Sequence, residues 1–458
     1  MSCRRHTPRT AAQLVLLLSC FFATAAIDAA RGASVLMISV DGLKPEYVLQ
    51  ADALGLKIPF LRSLLRDGVH ARGVTGVWPT VTYPSHTTLL TGLTPAEHGI
   101  YNNLEFDPKH KFADSWFWYA QQIRAPTLWQ AAHEAGLITA SIGWPASVGA
   151  TQVDYLIPEY WRIFRPTADL NPSDADMMAA LSRPEGLLQD MQQRLGPYML
   201  GNDPTPPGDE IKTRFALDIL RAQKPKFMTI HLSSLDEEQH VHGPFSPEAN
   251  QDLEAIDGWL AQLFAASRAN DPEAVALVVS DHGFTQVTHR VNLMQAFLHA
   301  DLIQAGGVWQ AQPWGAGGMA AIMLQQPADE ATTIKVREFL QALKADPRNG
   351  IAEVLERDAI KQRGAFPEAS FLVVMKLGYA VIGDATSPLV SEVSGTPGSH
   401  GFSPEYPEMR ASFFMAGKGI ASHRDLGVID MRQIAPTVAQ LLNLRLPAAT
   451  FSALPVRR

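Results

Sequence analysis

Three times in this chain an acidic residue stands just past an apolar run that reads as a buried strand. Asp41 closes ASVLMISV, Asp236 with His240 follows KFMTIHLSSL, and Asp281 with His282 follows AVALVVS. His400 in GSHGF completes a set of three carboxylates and three imidazoles, enough to hold two divalent cations. Mixed carboxylate and imidazole donors suit zinc and its transition-metal neighbours, whereas magnesium or calcium would want mostly oxygen, so two zinc ions are expected. Ions about 4 Å apart clamp the attacking and leaving oxygens of an in-line displacement at phosphorus. Each residue alone has a plainer use: an Asp after a strand commonly forms a turn or caps a helix, and an Asp-His pair at i, i+4 is often a surface pair. Together they do not, because burying so many charges without a counter-ion is very costly.

The elements that must position these residues alternate between β-like apolar runs and helical patterns, which predicts an α/β fold with a mainly parallel central sheet flanked by helices on both faces. Expected strands are Val35–Val40, Thr139–Ile142, Phe227–Leu232, Val275–Ser280 and Ser412–Ala416. Apolar residues spaced three and four apart predict helices over Thr127–Ala135, Thr213–Ala222, Asn250–Ala266 and Met431–Leu444. In open α/β sheets ligands gather beyond the carboxyl ends of strands, so three acids at three such ends should converge. Between His282 and His400 lie a strand-like Met319–Leu324, a helix-like Thr333–Leu343 and the run Phe371–Lys376. That stretch reads as an α+β subdomain inserted at 285–395 within a catalytic domain spanning 33–458, and it carries His400 back to the site. GNDPTPPG (Gly201–Gly208) reads as a surface loop.

With 458 residues, 46% of them hydrophobic, the chain can bury a large core. Its formal charge is −8, and −11 once the three arginines of the first 25 residues are set aside, so a basic nucleic-acid footprint is absent. Those first 25 residues read as a secretory signal, with Arg4, Arg5 and Arg9 as the basic start, LVLLLSCFF as the apolar centre and Ala23-Thr24-Ala25 as the cleavage site. The expected destination is the periplasm. Both cysteines, Cys3 and Cys20, lie in this segment, so the mature chain would carry no thiol; a second reading makes Cys20 a lipid-bearing anchor. No other stretch is long and apolar enough to span a bilayer.

Six motifs, in order, resemble the nucleotide pyrophosphatase/phosphodiesterase (type I phosphodiesterase) family of the alkaline phosphatase superfamily. WPTVTYPSHTTLLTG (Trp78–Gly92) is similar to the family's nucleophile segment, with Thr82 at the nucleophile position. TPAEHGIYNN (Thr94–Asn103), PTLWQAAHEAG (Pro126–Gly136), LDEEQHVHGP (Leu235–Pro244), SDHGF (Ser280–Phe284) and GSHGF (Gly398–Phe402) follow in register, and GWP (Gly143–Pro145) joins them. The resemblance implies an alkaline-phosphatase-like fold. It also implies one metal on Asp41, Asp281 and His282, a second on Asp236, His240 and His400, Asn103 donating to a non-bridging phosphoryl oxygen, and Tyr83 stacking on the substrate's leaving-group side.

These roles are chemically consistent. A threonine hydroxyl is a weak nucleophile unless a cation helps ionise it, and attack by Thr82 would give a phospho-threonine intermediate that water hydrolyses. Two dications against three carboxylates leave about one positive charge, which suits a diester or pyrophosphate group better than a monoester dianion. Thr80–Thr88 contains no Arg or Lys to bind that extra charge. The expected substrate is therefore a small phosphodiester or pyrophosphate, of nucleotide or glycerophospho type. An alkaline phosphomonoesterase on the same fold and a catalytically dead zinc-binding secreted protein are the alternatives. A sulfatase is disfavoured, since Thr82-Tyr83-Pro84-Ser85-His86 lacks the Cys or Ser and the Arg that chemistry needs. His86 and His98 read as residues that order the nucleophile segment. The aromatics Trp116–Tyr119, Trp144, Tyr160 and Trp161 could wall a pocket, with core packing the plainer role for at least half of them.

Overall fold

The computed structural model describes residues 32–108, 116–162, 172–198, 203–304, 307–384 and 386–458; the stretch read as a secretory signal, with Cys20, lies outside them. Its centre is an eight-stranded sheet. In chain order these strands are β1 (Val35–Val40), β2 (Val69–His70), β3 (Thr139–Ile142), β4 (Tyr155–Ile157), β5 (Phe227–Leu232), β6 (Val275–Val279), β7 (Phe413–Gly417) and β8 (Arg424–Asp425). They are arranged β8-β2-β7-β6-β1-β5-β3-β4, and the run from β6 to β4 is parallel throughout.

Burial on both faces explains the unbroken apolar runs. Leu36, Ile38 and Val40 pack with Met228 and Ile230 beneath helices α2 (Pro206–Gln223) and α4 (Pro247–Asn270). Val35, Met37 and Leu277 pack on the other face beneath helices α1 (Thr82–Thr91) and Ile434–Leu441. A further helix, α3 (Ser234–His242), follows β5 directly. Among the described residues no helix is long and apolar enough to cross a membrane.

Two features depart from the pattern read in the sequence. Strand β7 is antiparallel to β6, with Phe413 opposite Val279. The chain has by then returned to the carboxyl end of the sheet, so it can only run back down. The stretch expected to be a loop up to Gly208 instead starts α2 at Pro206, because proline at a helix's first positions loses no hydrogen bond and Thr205 caps the Gly208 N–H.

Between β6 and β7 the chain forms smaller sheets. The largest is antiparallel, made of Ala311–Gly315, Met319–Leu324, Phe371–Met375 and Ile351–Glu356, with helix Glu330–Ala345 sharing its core through Val336 and Leu340. Strand His289–Asn292 lies between Tyr379–Ile382 and Val390–Glu392, and Gly398–Ser399 pairs with Thr285–Gln286. The return to the site is tight. Gly401 has φ +81, and a Cβ there would lie 2.0 Å from Ala316 O, a contact only glycine permits.

Candidate active site

The turns that leave β1 and β6 face each other. Gly42, after Asp41, adopts φ +67, and its N–H donates to Asp281 Oδ1 at 3.2 Å. Asp236 and His240 stand one turn apart on α3, with His240 Nε2 3.3 Å from Asp236 Oδ2. His282 Nε2 lies 3.0 Å from Asp281 Oδ2, 3.3 Å from Asp41 Oδ1 and 4.0 Å from Asp236 Oδ1. The His400 ring stacks on that of His282 with centroids 3.7 Å apart, and its Nε2 is 3.7 Å from Asp236 Oδ1. All six predicted ligands thus meet in one place. Two groups are compact enough to hold an ion, Asp41 with Asp281 and His282, and Asp236 with His282 and His400. His282 borders both groups, and His240 joins the second through Asp236.

The donor set fits cations. Asp41 Oδ1, Asp236 Oδ1, Asp281 Oδ2 and His282 Nε2 are buried without a hydrogen-bond partner. An orphaned buried acceptor costs about 1–3 kcal/mol, and these four point at common centres. The imidazoles are also in the right tautomer. Each presents Nδ1 to a backbone carbonyl: His240 to Gly398 at 3.1 Å, His282 to Gly283 at 3.2 Å and His400 to Thr80 at 3.0 Å. A carbonyl only accepts, so Nδ1 carries the hydrogen and Nε2 keeps its lone pair for a metal.

Charge repulsion in the cluster is visible in the acidities. Burial, and then the Asp281 and Asp236 carboxylates, pushes Asp41 well above the usual carboxylate range. Burial would raise Asp281 and Asp236 as well, but His282 holds Asp281 well below that range and His240 brings Asp236 to about 2. Against its own burial, His240 is raised by Asp236 to about 9. Cations would replace these mutual compensations with direct neutralisation.

Behind these six residues lies a layer that the sequence did not reveal. His231, within β5, sets Nε2 3.0 Å from Asp41 Oδ2 and Nδ1 3.1 Å from Gly143 O, with Glu159 Oε2 at 4.0 Å. Burial pushes Glu159 up to about 8, against the pull of Lys212. On the other side, Lys212 pairs with Asp209 at 2.9 Å, Asp209 accepts the Ser234 N–H, and Ser234 Oγ donates to Asp252 at 2.7 Å. These buried bonds fasten the start of α3, the helix that carries Asp236 and His240. An imidazole amid FMTIHL and a lysine amid a helical pattern give no sequence signal of such use.

Thr82 opens α1, whose ten residues are all buried. A threonine-rich helix can be buried because its hydroxyls bond backward, Thr87 to Tyr83 O and Thr91 to Thr87 O, each at 2.8 Å. His86 ties the Thr82 carbonyl (2.9 Å) to Ser39 Oγ (2.9 Å) and stands 3.7 Å from Asp281, which gives it the ordering role read from the sequence. In the first turn Pro84 has no N–H and Tyr83 donates its own to Asn103 Oδ1 at 2.9 Å, so the Thr82 N–H is the donor that remains for an anion. With Oδ1 so engaged, the capacity left to Asn103 is its Nδ2 donor. Asn102 is different, as its Nδ2 bonds Gly315 O. Tyr83, expected to face substrate, is fully enclosed, its hydroxyl on Glu159 and its ring edge-on to Trp116 and Trp118. Half-buried Trp116 and Trp161 stand outside it.

The family profile described as type I phosphodiesterase / nucleotide pyrophosphatase matches residues 35–403. Human ectonucleotide pyrophosphatase/phosphodiesterase family member 1 is 24% identical over 263 residues, which is 55% of this chain and 23% of the relative. A venom phosphodiesterase of Naja atra is 24% identical over 265 residues, 56% of this chain and 26% of its own length. The chain therefore spans about a quarter of the length of these curated relatives. Among solved structures, human ectonucleotide pyrophosphatase/phosphodiesterase 5 superposes with a TM-score of 0.62 at 19% identity, covering 93% of this chain and 96% of that one. An inactive murine form of that protein, in complex with AMP, also gives 0.62 at 19% identity, over 92% of this chain and 97% of its own. These likenesses show an alkaline-phosphatase-like fold.

Proposed function

The chain belongs to the type I phosphodiesterase/nucleotide pyrophosphatase family, and on that premise we propose that it is a secreted periplasmic hydrolase that cleaves small phosphodiesters or pyrophosphates through Thr82, with two zinc ions. The observation that carries this reading is the set of four orphaned acceptors on Asp41, Asp236, Asp281 and His282, gathered where three strand ends meet. Asp41, Asp281 and His282 would hold one ion, and Asp236, His240 and His400 the other. When bound, such ions lower the pKa of a nearby hydroxyl and neutralise charge on the phosphoryl group.

The chain's own residues do the rest. Thr82 Oγ gives its proton to water and bonds to phosphorus, while the bond to the leaving oxygen breaks and that oxygen departs with the electron pair. Water then attacks the phospho-threonine and returns the hydroxyl, so two in-line steps retain configuration at phosphorus. Asn103 Nδ2 and the Thr82 N–H donate to the non-bridging oxygens, and His86 keeps the Thr82 carbonyl turned inward. Tyr83 serves by seating Trp116, the half-buried ring that would meet the substrate. The AMP complex of the murine relative supports a nucleotide-type substrate.

The absence of Lys and Arg from the nucleophile segment Thr80–Thr88 favours a diester over a monoester. Wild-type protein with zinc should hydrolyse bis-p-nitrophenyl phosphate with kcat/KM about tenfold or more above that for p-nitrophenyl phosphate, and Thr82→Ala should lose about a thousandfold. Faster turnover of the monoester, or full activity in Thr82→Ala, would overturn the proposal.

A further inference from the structure

Asn103 is held from three sides. Its Oδ1 accepts from the Tyr83 N–H, its carbonyl accepts from the Phe117 N–H at 3.0 Å, and its own N–H donates to Asn102 Oδ1 at 2.9 Å. Asn102 is 3% exposed, and its Nδ2 donates to Gly315 O at 2.8 Å. The Asn102 amide fits one way round only, because the Asn103 N–H can only donate and the Gly315 carbonyl can only accept. On the other flank the Trp314 indole donates its Nε1–H to Leu104 O at 3.1 Å. Two consecutive residues of strand Ala311–Gly315 therefore fasten the two neighbours of Asn103, from 213 and 210 positions away in the chain.

The hairpin that contains this strand also grips His400. Its turn to Met319–Leu324 passes through Gly317 and Gly318, and the Gly318 N–H donates to His400 O at 3.0 Å. Gly317 has φ +65, and a Cβ on it would stand 2.2 Å from His400 O, so only glycine lets the turn come so near. His400 Nδ1 and the Gly401 N–H in turn both meet Thr80 O, at 3.0 and 2.9 Å, two residues before Thr82. One hairpin thus sets Asn103, His400 and the nucleophile segment against one another.

We propose that Asn102, Trp314 and Gly315 form a clasp that holds Asn103 where its Nδ2 meets the phosphoryl oxygen, so that Asn102 and Trp314 are positioning residues for the reaction. The inference rests on the phosphodiesterase reading above, since the clasp acts through Asn103. A donor to developing charge works because it is already in place, and a misplacement of about 1 Å can cost about a hundredfold in rate. A loosened Asn103 loses transition-state stabilisation more than substrate binding, so the cost falls on kcat. The small antiparallel sheet between β6 and β7 thereby contributes to catalysis without touching substrate.

Steady-state hydrolysis of bis-p-nitrophenyl phosphate tests this with zinc-loaded wild type, Asn102→Ala, Trp314→Phe, Asn103→Ala and the two doubles that combine Asn103→Ala with each of the others. Asn102→Ala should lower kcat about tenfold to a hundredfold, and Trp314→Phe, which keeps a ring in place, about threefold to tenfold, each with KM within about twofold of wild type. Asn103→Ala should itself lose about a hundredfold or more, and on that background both substitutions should change kcat by less than about twofold, because they act through the side chain already removed. If Asn102→Ala does not fold, Trp314→Phe carries the test by itself. Equal losses on both backgrounds, losses that fall on KM, or no loss in either single variant would overturn the clasp. Asn103→Ala at wild-type activity would take Asn103 out of the reaction and the clasp with it, whereas a wild type inactive on the diester would refute the phosphodiesterase reading on which the clasp depends.

Discussion

His231 Nε2 stands 3.0 Å from the Asp41 oxygen opposite the orphaned one, and thereby fixes which carboxylate oxygen faces the ion. Partners in this position are typically worth about 10–100-fold in metal affinity. His231→Phe should therefore weaken the site at Asp41, Asp281 and His282 by about that factor in chelator competition, while the ion on Asp236 and His400 stays near wild type. Unchanged affinity at both sites would show that His231 is only packing. That these six residues would meet was legible in the sequence because each follows an apolar run or a small turn, where a lone acid or imidazole stands out. His231 and Glu159 were not, since a single polar residue inside FMTIHL or beside Tyr160 looks like any other core or loop residue. Tyr83 misled for a related reason: its place beside the nucleophile was visible, but Trp116 and Trp118, which enclose it, come from a distant segment.

The helix that carries Asp236 and His240 depends on how its first turn is fastened. Ser234 donates to Asp252 on α4, and burial raises Asp252 to about 7. In the unfolded chain that acid ionises near 3.8, so folding takes up a proton between the two values and its stabilising share fades as pH rises through about 7. Asp252→Asn can still accept the Ser234 bond and should be more stable than wild type at pH 8. That advantage should shrink toward nothing near pH 4 in paired thermal melts; an equal difference at both pH values would contradict the assignment. Strand positions were legible at this scale, because five-residue apolar runs admit little else. The direction of β7 was not, for periodicity does not say from which end a strand is entered.

Across the whole molecule the six candidate residues come from the β1 turn, α3, the β6 turn and the loop after the small sheets, so bound ions would staple the parallel sheet to the stretch between β6 and β7 through His400. Chelation should lower the melting temperature, and by more at pH 8 than at pH 6, because protons compete for the imidazoles and carboxylates that the metals use. A metal-loaded protein whose melting point ignores chelator would contradict that coupling. The α/β layering was legible from alternating patterns, whereas how the inserted sheets return to the site was not, since Gly401 against Ala316 is a contact between distant backbones. Attack by Thr82 Oγ would leave a covalent phosphoryl group on that side chain. Rapid acid quenching during turnover of bis-p-nitrophenyl phosphate, followed by peptide mass spectrometry, should find a phosphoryl ester on the peptide spanning Thr82 and localise it to that residue. Steady turnover with Thr82 unmodified, or an adduct on another side chain, would contradict it.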